Sequence, residues 1–215
     1  MKYLETRKCP KKSKVKNLIQ FHSHKNQKHV FCESYLERDT YLTFEFLNQV
    51  ISYDVQNIRV QFDVDGRPSI YTPDANLLLR NDLHSKGLIV EVKRSEDLIK
   101  PKVWRKLRRA RQEFMAEGYG FVICKDSDIQ IQPRLNNLRL LYRFRNSLPE
   151  PETQALIFDR LRGNDDVTVG ELTKIVRQHG EIFNSVFAMV ATGLIKLDLN
   201  KPITPKSFVQ LGGAQ

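Results

Sequence analysis

The chain has few cysteines, long stretches almost without acid, and no long apolar run, and each shortage excludes something. Cys9, Cys32 and Cys124 are its only cysteines. An odd, widely spaced set does not make a disulfide framework and suits a reducing cytoplasm. No uninterrupted apolar run approaches the roughly 20 residues of a membrane-spanning helix. The basic N-terminus has no apolar stretch after it and so does not read as a secretory signal. No internal repeat or low-complexity tract is present. Acid is scarce in two places. Residues 1–30 carry nine Lys/Arg against Glu5 alone, and Lys100 to Arg111 holds seven basic residues and no acid.

What is there fits a globular protein with a polyanionic partner. With 40% hydrophobic residues the chain can bury a core, which excludes wholesale disorder. Its formal net charge of +10 favours nucleic acid over membrane. Residues 151–215 hold seven basic and seven acidic residues, so the excess belongs to the first 150. The segment Asn146-Ser147-Leu148-Pro149-Glu150-Pro151-Glu152 reads as a linker. The expected domains are therefore 1–148, with its basic N-terminal arm, and 149–215.

The first domain reads as helix, strands, helix, strand. Ser34-x-x-Glu37 opens a helix that runs to about Leu47. Ile58, Val60, Phe62 and Val64 alternate into an Asp65-Gly66 turn, a hairpin signature. Asp74 follows Pro73 and starts a strand through Leu79, and Leu88 to Lys93 is the next strand. Lys102 to Glu117 is helical, with Val103, Leu107, Ala110 and Phe114 as its buried stripe and Gly118 closing it. "GFVICKD" is a final strand. The expected class is α/β around a mixed sheet.

Within the apolar strand "LIVEVK", Glu91 and Lys93 project from the same side. Charged groups in buried strands cost free energy unless they are paired or bind a metal. If the strands of Asp74 and Glu91 are neighbours, two carboxylates and an ammonium converge at one end of the sheet. Mg²⁺ takes one or two such carboxylates and completes its shell with water and phosphate. Lys93 could then position an attacking water or neutralise charge on the transition state. The plainer reading is that E-V-K is a solvated strand ending and Pro-Asp a turn.

The pair, with sixteen residues between them, resembles the PD-(D/E)XK nuclease motif. "ESYLERDTYLTFEF", "YTPD" and "LIVEVK", followed by a basic helix and "GYGFVICKDSDI", resemble the TnsA endonuclease subunit of heteromeric bacterial transposons. The resemblance implies a restriction-endonuclease-like mixed sheet flanked by helices. It implies a Mg²⁺-dependent DNA endonuclease, with Mn²⁺ able to substitute, that cuts the 5′ strands at transposon ends. Its implied partners are a TnsB-like transposase, which cuts and joins the 3′ strands, and a TnsC-like AAA+ ATPase regulator. By the same resemblance Glu37, Asp74 and Glu91 are the metal ligands, and Lys93 completes the catalytic set. Gln56 supports the site from behind. On the residues alone, Ser34-x-x-Glu37 is a capping box.

Other groups carry weaker signals. Glu33, Asp39 and Glu45 read as solvated helix residues. His22, His24, His29 and Cys32, with Cys9 upstream, lack zinc-ligand spacing and read as a hairpin turning at Lys25-Asn26-Gln27-Lys28. Lys102, Arg105, Lys106, Arg108 and Arg109 are candidate DNA phosphate contacts, because unbalanced like charges on one helix repel. The C-terminal part reads as three helices and a two-stranded wing, a winged-helix-like unit whose neutral charge favours docking on a protein partner over DNA. A free-standing restriction-type or junction-resolving nuclease and a non-catalytic winged-helix DNA-binding regulator are the alternatives. An intact Glu37/Asp74/Glu91/Lys93 set argues against the regulator.

Overall fold

A computed structural model describes residues 1–5, 18–81, 84–164, 166–180 and 184–213. Most of the basic N-terminal arm, Cys9, and Glu181 at the start of the expected third C-terminal helix lie outside the described residues. Two compact units divide the chain, Met1–Gln130 and Ile131–Gln215. Both combine helices and strands, and a four-stranded mixed sheet lies at the centre of the first.

In the first unit the strands are β1 (Lys2–Tyr3), β2 (Ile19–Ser23), β3 (Lys28–Cys32), β4 (Val50–Val55), β5 (Val60–Val64), β6 (Arg67–Tyr71), β7 (Ala75–Leu79), β8 (Leu88–Lys93) and β9 (Gly120–Lys125). The helices are α1 (Tyr35–Phe46), α2 (Ser95–Leu98), α3 (Pro101–Ala116) and α4 (Asp126–Ile129). The main sheet runs β4-β7-β8-β9. Its first two pairings are antiparallel and the β8–β9 pairing is parallel, with α3 as the crossover between them.

The hairpin forms where the alternation predicts it. Asp65 and Gly66 both have positive φ, 54° and 75°, which is what a two-residue primed turn requires. The β5–β6 hairpin does not join the main sheet but pairs with β1 in a sheet of three. Its place at the edge of the main sheet is taken by β4, which sequence reading passed over. "VISYDV" alternates poorly, and the register shifts between Val50 and Ser52.

Register assigns the faces. Tyr53 pairs with Leu77 and Leu77 with Leu88, so Leu88, Val90 and Val92 share a face with Tyr53. That face meets α1, where the Tyr41 ring lies 5.8 Å from Tyr53. The other face carries Ile89, which packs with Leu107, Ala110 and Phe114 of α3 and with Phe62 and Tyr71 of the hairpin. Each large apolar side chain buried there contributes roughly 1.5–3 kcal/mol. Asp74 and Glu91 belong to this second face.

Helix α1 is wrapped, not half-solvated. The β2–β3 hairpin packs on it as well as the sheet, so Asp39 and Glu45 are buried, against expectation. Glu45 accepts hydrogen bonds from the Ser23 hydroxyl (2.6 Å), the Tyr53 hydroxyl (2.8 Å) and the Lys25 backbone N–H (3.1 Å). Asp39 accepts from the Arg38 guanidinium at 2.8 Å.

The second unit holds α5 (Arg134–Tyr142), α6 (Pro151–Leu161), α7 (Val169–Gln178), α8 (Asn184–Ala191), β10 (Ile195–Lys196) and β11 (Gln210–Leu211). Thr168 caps α7 with a capping box: it donates its N–H to Glu171 at 2.9 Å and accepts the Glu171 N–H at 3.3 Å. The boundary falls at Gln130, ahead of the Pro-rich segment, because α5 packs on α8. Asn137 also donates to the Leu199 and Lys201 carbonyls, at 2.8 Å each. Among the described residues no helix is long and apolar enough to cross a membrane.

Candidate active site

The β7–β8 register brings the two acids together. Ala75 pairs with Val90, so one further step sets Asp74 across from Glu91. The Val92 N–H donates to Asp74 Oδ2 at 2.7 Å. From behind, the Asp74 carbonyl accepts the Tyr41 hydroxyl (3.0 Å) and the Gln56 N–H (3.2 Å). Gln56 thus meets Asp74 through its backbone and has a positive φ of 47°.

Glu91 is only 4% exposed. The Tyr71 hydroxyl donates to its Oε2, and Lys93 Nζ lies 2.6 Å from its Oε1. Lys93 also donates to the Val92 carbonyl at 3.1 Å. Burial, and then the negative charge of Glu91, push the Asp74 carboxyl well above the usual carboxylate range, against Lys93 and the Val92 N–H; Glu37 adds to the push. Burial draws the Lys93 ammonium down, but Glu91, Asp74 and Glu37 outweigh it and hold it above the ordinary lysine value. Glu91, Asp74 and Glu37 thus all act on the one Lys93 ammonium.

Glu37 is 8% exposed and lies in the first turn of α1, behind its N-cap Ser34. Its N–H donates to Ser34 Oγ at 3.1 Å. Its own oxygens accept the Ser34 hydroxyl (2.8 Å) and the Glu33 N–H (2.9 Å). Among the described residues no group of three or more His, Cys, Asp or Glu side chains is set to hold a metal ion. Glu37 does share an open groove of about 610 Å³ with Lys93, Tyr35, Arg94 and Asp126.

The basic tract is less free than its sequence suggests. Arg105 pairs with Asp65 at 3.2 Å, Arg109 with Glu113, and Lys100 with Asp97 at 2.6 Å. These acids lie on the hairpin turn or just outside the stretch counted, so a linear charge count missed them. Lys106 turns inward: it donates to the Ile70 carbonyl at 2.8 Å and sits 5.6 Å from the Tyr71 ring centroid. Arg105, Arg108 and Arg109 line a second open groove, of about 440 Å³, with Asp63 and Gln112.

Tyr71 and Tyr41 are the site residues that sequence reading missed. Tyr71 stood in plain view, three residues before Asp74 and in phase with the alternation of its strand. The His22 ring meets the His24 and His29 rings edge-on along the hairpin expected there.

Residues 47–126 match the family model described as TnsA-like endonuclease N terminal. This segment is a TnsA-like endonuclease N-terminal domain. The TnsA-like segment takes in Gln56, Asp74, Glu91, Lys93 and all of α3, while Glu37 lies before it. Such a domain implies a nuclease that binds DNA and serves transposition. The comparison with curated proteins gave no significant match.

Proposed function

We propose that the protein is a metal-dependent DNA endonuclease that cuts the 5′, non-transferred strand at transposon ends. The observation that carries this is one desolvated notch within the TnsA-like segment, where Asp74 faces Glu91 and Lys93 bridges to Glu91 at 2.6 Å. The donor chemistry fits a hard divalent cation. Two oxygen ligands face each other, and the negative charge of Glu91 penalises ionised Asp74 until a cation arrives. Mg²⁺ is the expected ion, with Mn²⁺ able to replace it. When bound, it supplies Lewis-acid activation of water and compensates phosphate charge.

Asp74 and Glu91 would hold the ion directly. Glu37, whose oxygens already accept from Ser34 and Glu33, would enter through water, as suits an ion that keeps several waters. The neighbouring carboxylates keep Lys93 protonated. As a charged donor it would orient the attacking water or stabilise the phosphate.

Lys102 and Arg108 would meet the DNA backbone first. Arg105 and Arg109 would exchange Asp65 and Glu113 for phosphates, and Lys106 contributes field more than contact. In the second unit, α6, α7 and α8 with the β10–β11 ribbon support a winged-helix-like reading. Its balanced charge suits docking on a TnsC-like ATPase. Diffuse basic charge reads no bases, so a TnsB-like transposase would deliver the scissile phosphate, in the cytoplasm. The test is cleavage of a transposon-end duplex with and without transposase. A strand cut that disappears in Asp74→Ala supports the proposal, and cutting untouched by that change refutes it.

A further inference from the structure

Tyr71 ends β6, opposite Val60 of β5. Its ring lies 5.9 Å from Phe62 and 6.0 Å from Phe114, so the hairpin and α3 clamp it in the core. A tyrosine with no polar task there could as well be phenylalanine. Its hydroxyl, however, reaches Glu91 Oε2, while Lys93 takes Oε1. Both oxygens of one buried carboxylate are thus held by donors on different elements, which fixes the plane of the carboxylate. Each oxygen keeps a second lone pair for a cation. Lys106 then closes the arrangement from α3. Its ammonium is pinned on the carbonyl of Ile70 and lies over the Tyr71 ring, drawing electron density away from the hydroxyl.

We propose that Tyr71, backed by Lys106, is a positioning residue that sets the Glu91 carboxylate for the divalent cation. Neither residue touches the reacting atoms. Partners of this kind orient metal-binding carboxylates, and their loss typically costs about 10- to 100-fold in metal affinity. The alternative role for Lys106, direct phosphate contact, predicts a change in DNA affinity and none in metal affinity. This inference rests on the metal-site reading above, and the experiment separates the two.

Full-length protein is titrated with Ca²⁺ by calorimetry as wild type, Asp74→Ala, Tyr71→Phe and Lys106→Met, with thermal melts of each. Tyr71→Phe keeps the ring and its packing. It should weaken Ca²⁺ binding by about 10-fold or more while leaving the melt close to wild type. Lys106→Met keeps the aliphatic stem and should shift the affinity the same way by a smaller factor. In Mg²⁺-driven cleavage with transposase present, both variants should need more metal for half-maximal rate yet approach the wild-type plateau at saturation. A merely structural role would lower the melt and leave the metal dependence alone. Wild-type Ca²⁺ affinity in both variants overturns the inference while leaving the metal site standing. Equal binding by wild type and Asp74→Ala removes the metal site, and the inference with it.

Discussion

The backbone N–H of Val92 donates to Asp74 Oδ2 at 2.7 Å, so the strand segment between Glu91 and Lys93 is tied to the carboxylate of its neighbour. That bond answers why an apolar strand carries two charged residues. Val90 and Val92 serve the core against α1, and the residues between and after them serve a site on the opposite face.

With transposase present, Asp74→Ala, Glu91→Ala and Lys93→Ala should each remove strand cleavage in Mg²⁺ while DNA association survives. For Lys93 the loss should reach about 10²- to 10³-fold, the scale of removing one transition-state donor. Ca²⁺ should permit binding without turnover. Gel-based cleavage and binding on one duplex measure both.

Asp74 also makes a prediction about stability and pH. Burial raises its folded pKa above the unfolded value, so the native state binds a proton that the unfolded chain has released. The metal-free protein should therefore lose stability as pH rises from the unfolded Asp pKa through the raised folded one. Asp74→Asn should melt higher than wild type at neutral pH in chelator, and this advantage should vanish at acid pH. Mg²⁺ should raise the wild-type melting temperature but not that of the variant. Thermal melts across pH decide this.

Reversing Arg105, Arg108 and Arg109 together should weaken DNA binding irrespective of sequence. The slope of log affinity against log salt should flatten by about 0.9 for each phosphate no longer neutralised. Because Arg105 and Arg109 already have acidic partners, Arg108→Glu alone should cost more than Arg105→Glu alone. Fluorescence anisotropy at several salt concentrations tests both statements.

Glu45 is 1% exposed and receives three donors, from β2, from the turn after it and from β4. Glu45→Leu would leave those donors buried without an acceptor and should destabilise the fold by about 3 kcal/mol. Tyr53→Phe, which removes one donor only, should cost about 1 kcal/mol. Urea unfolding distinguishes them.

The strands and helices that carry Asp74, Glu91, Lys93 and the basic tract were legible because each obeys one periodicity. Ile89 and Val92 needed no partner to be known as core. Strand β4 was not legible, because its pattern is broken by a register shift and its pairing with β7 is non-local. Glu45 was misread because a carboxylate on a helix defaults to solvent. Only the fold brings Ser23, Lys25 and Tyr53 around it. Glu37 carried two meanings in one tetrapeptide, and the cap is the one its hydrogen bonds display. The partner of Arg105 was hidden for a similar reason, since charge counted along a chain takes no account of a turn folded against a helix, while Glu113, the partner of Arg109, lies one helical turn beyond it.

The most direct test of the central claim is cleavage of a transposon-end duplex labelled on each 5′ terminus in turn. Purified protein is assayed in Mg²⁺, alone and with the transposase, beside Asp74→Ala. The account predicts almost no cutting by the protein alone. With transposase, it predicts one nick confined to the non-transferred strand and missing in Asp74→Ala. Efficient site-specific cutting by the protein alone, or an undiminished nick from Asp74→Ala, would contradict it.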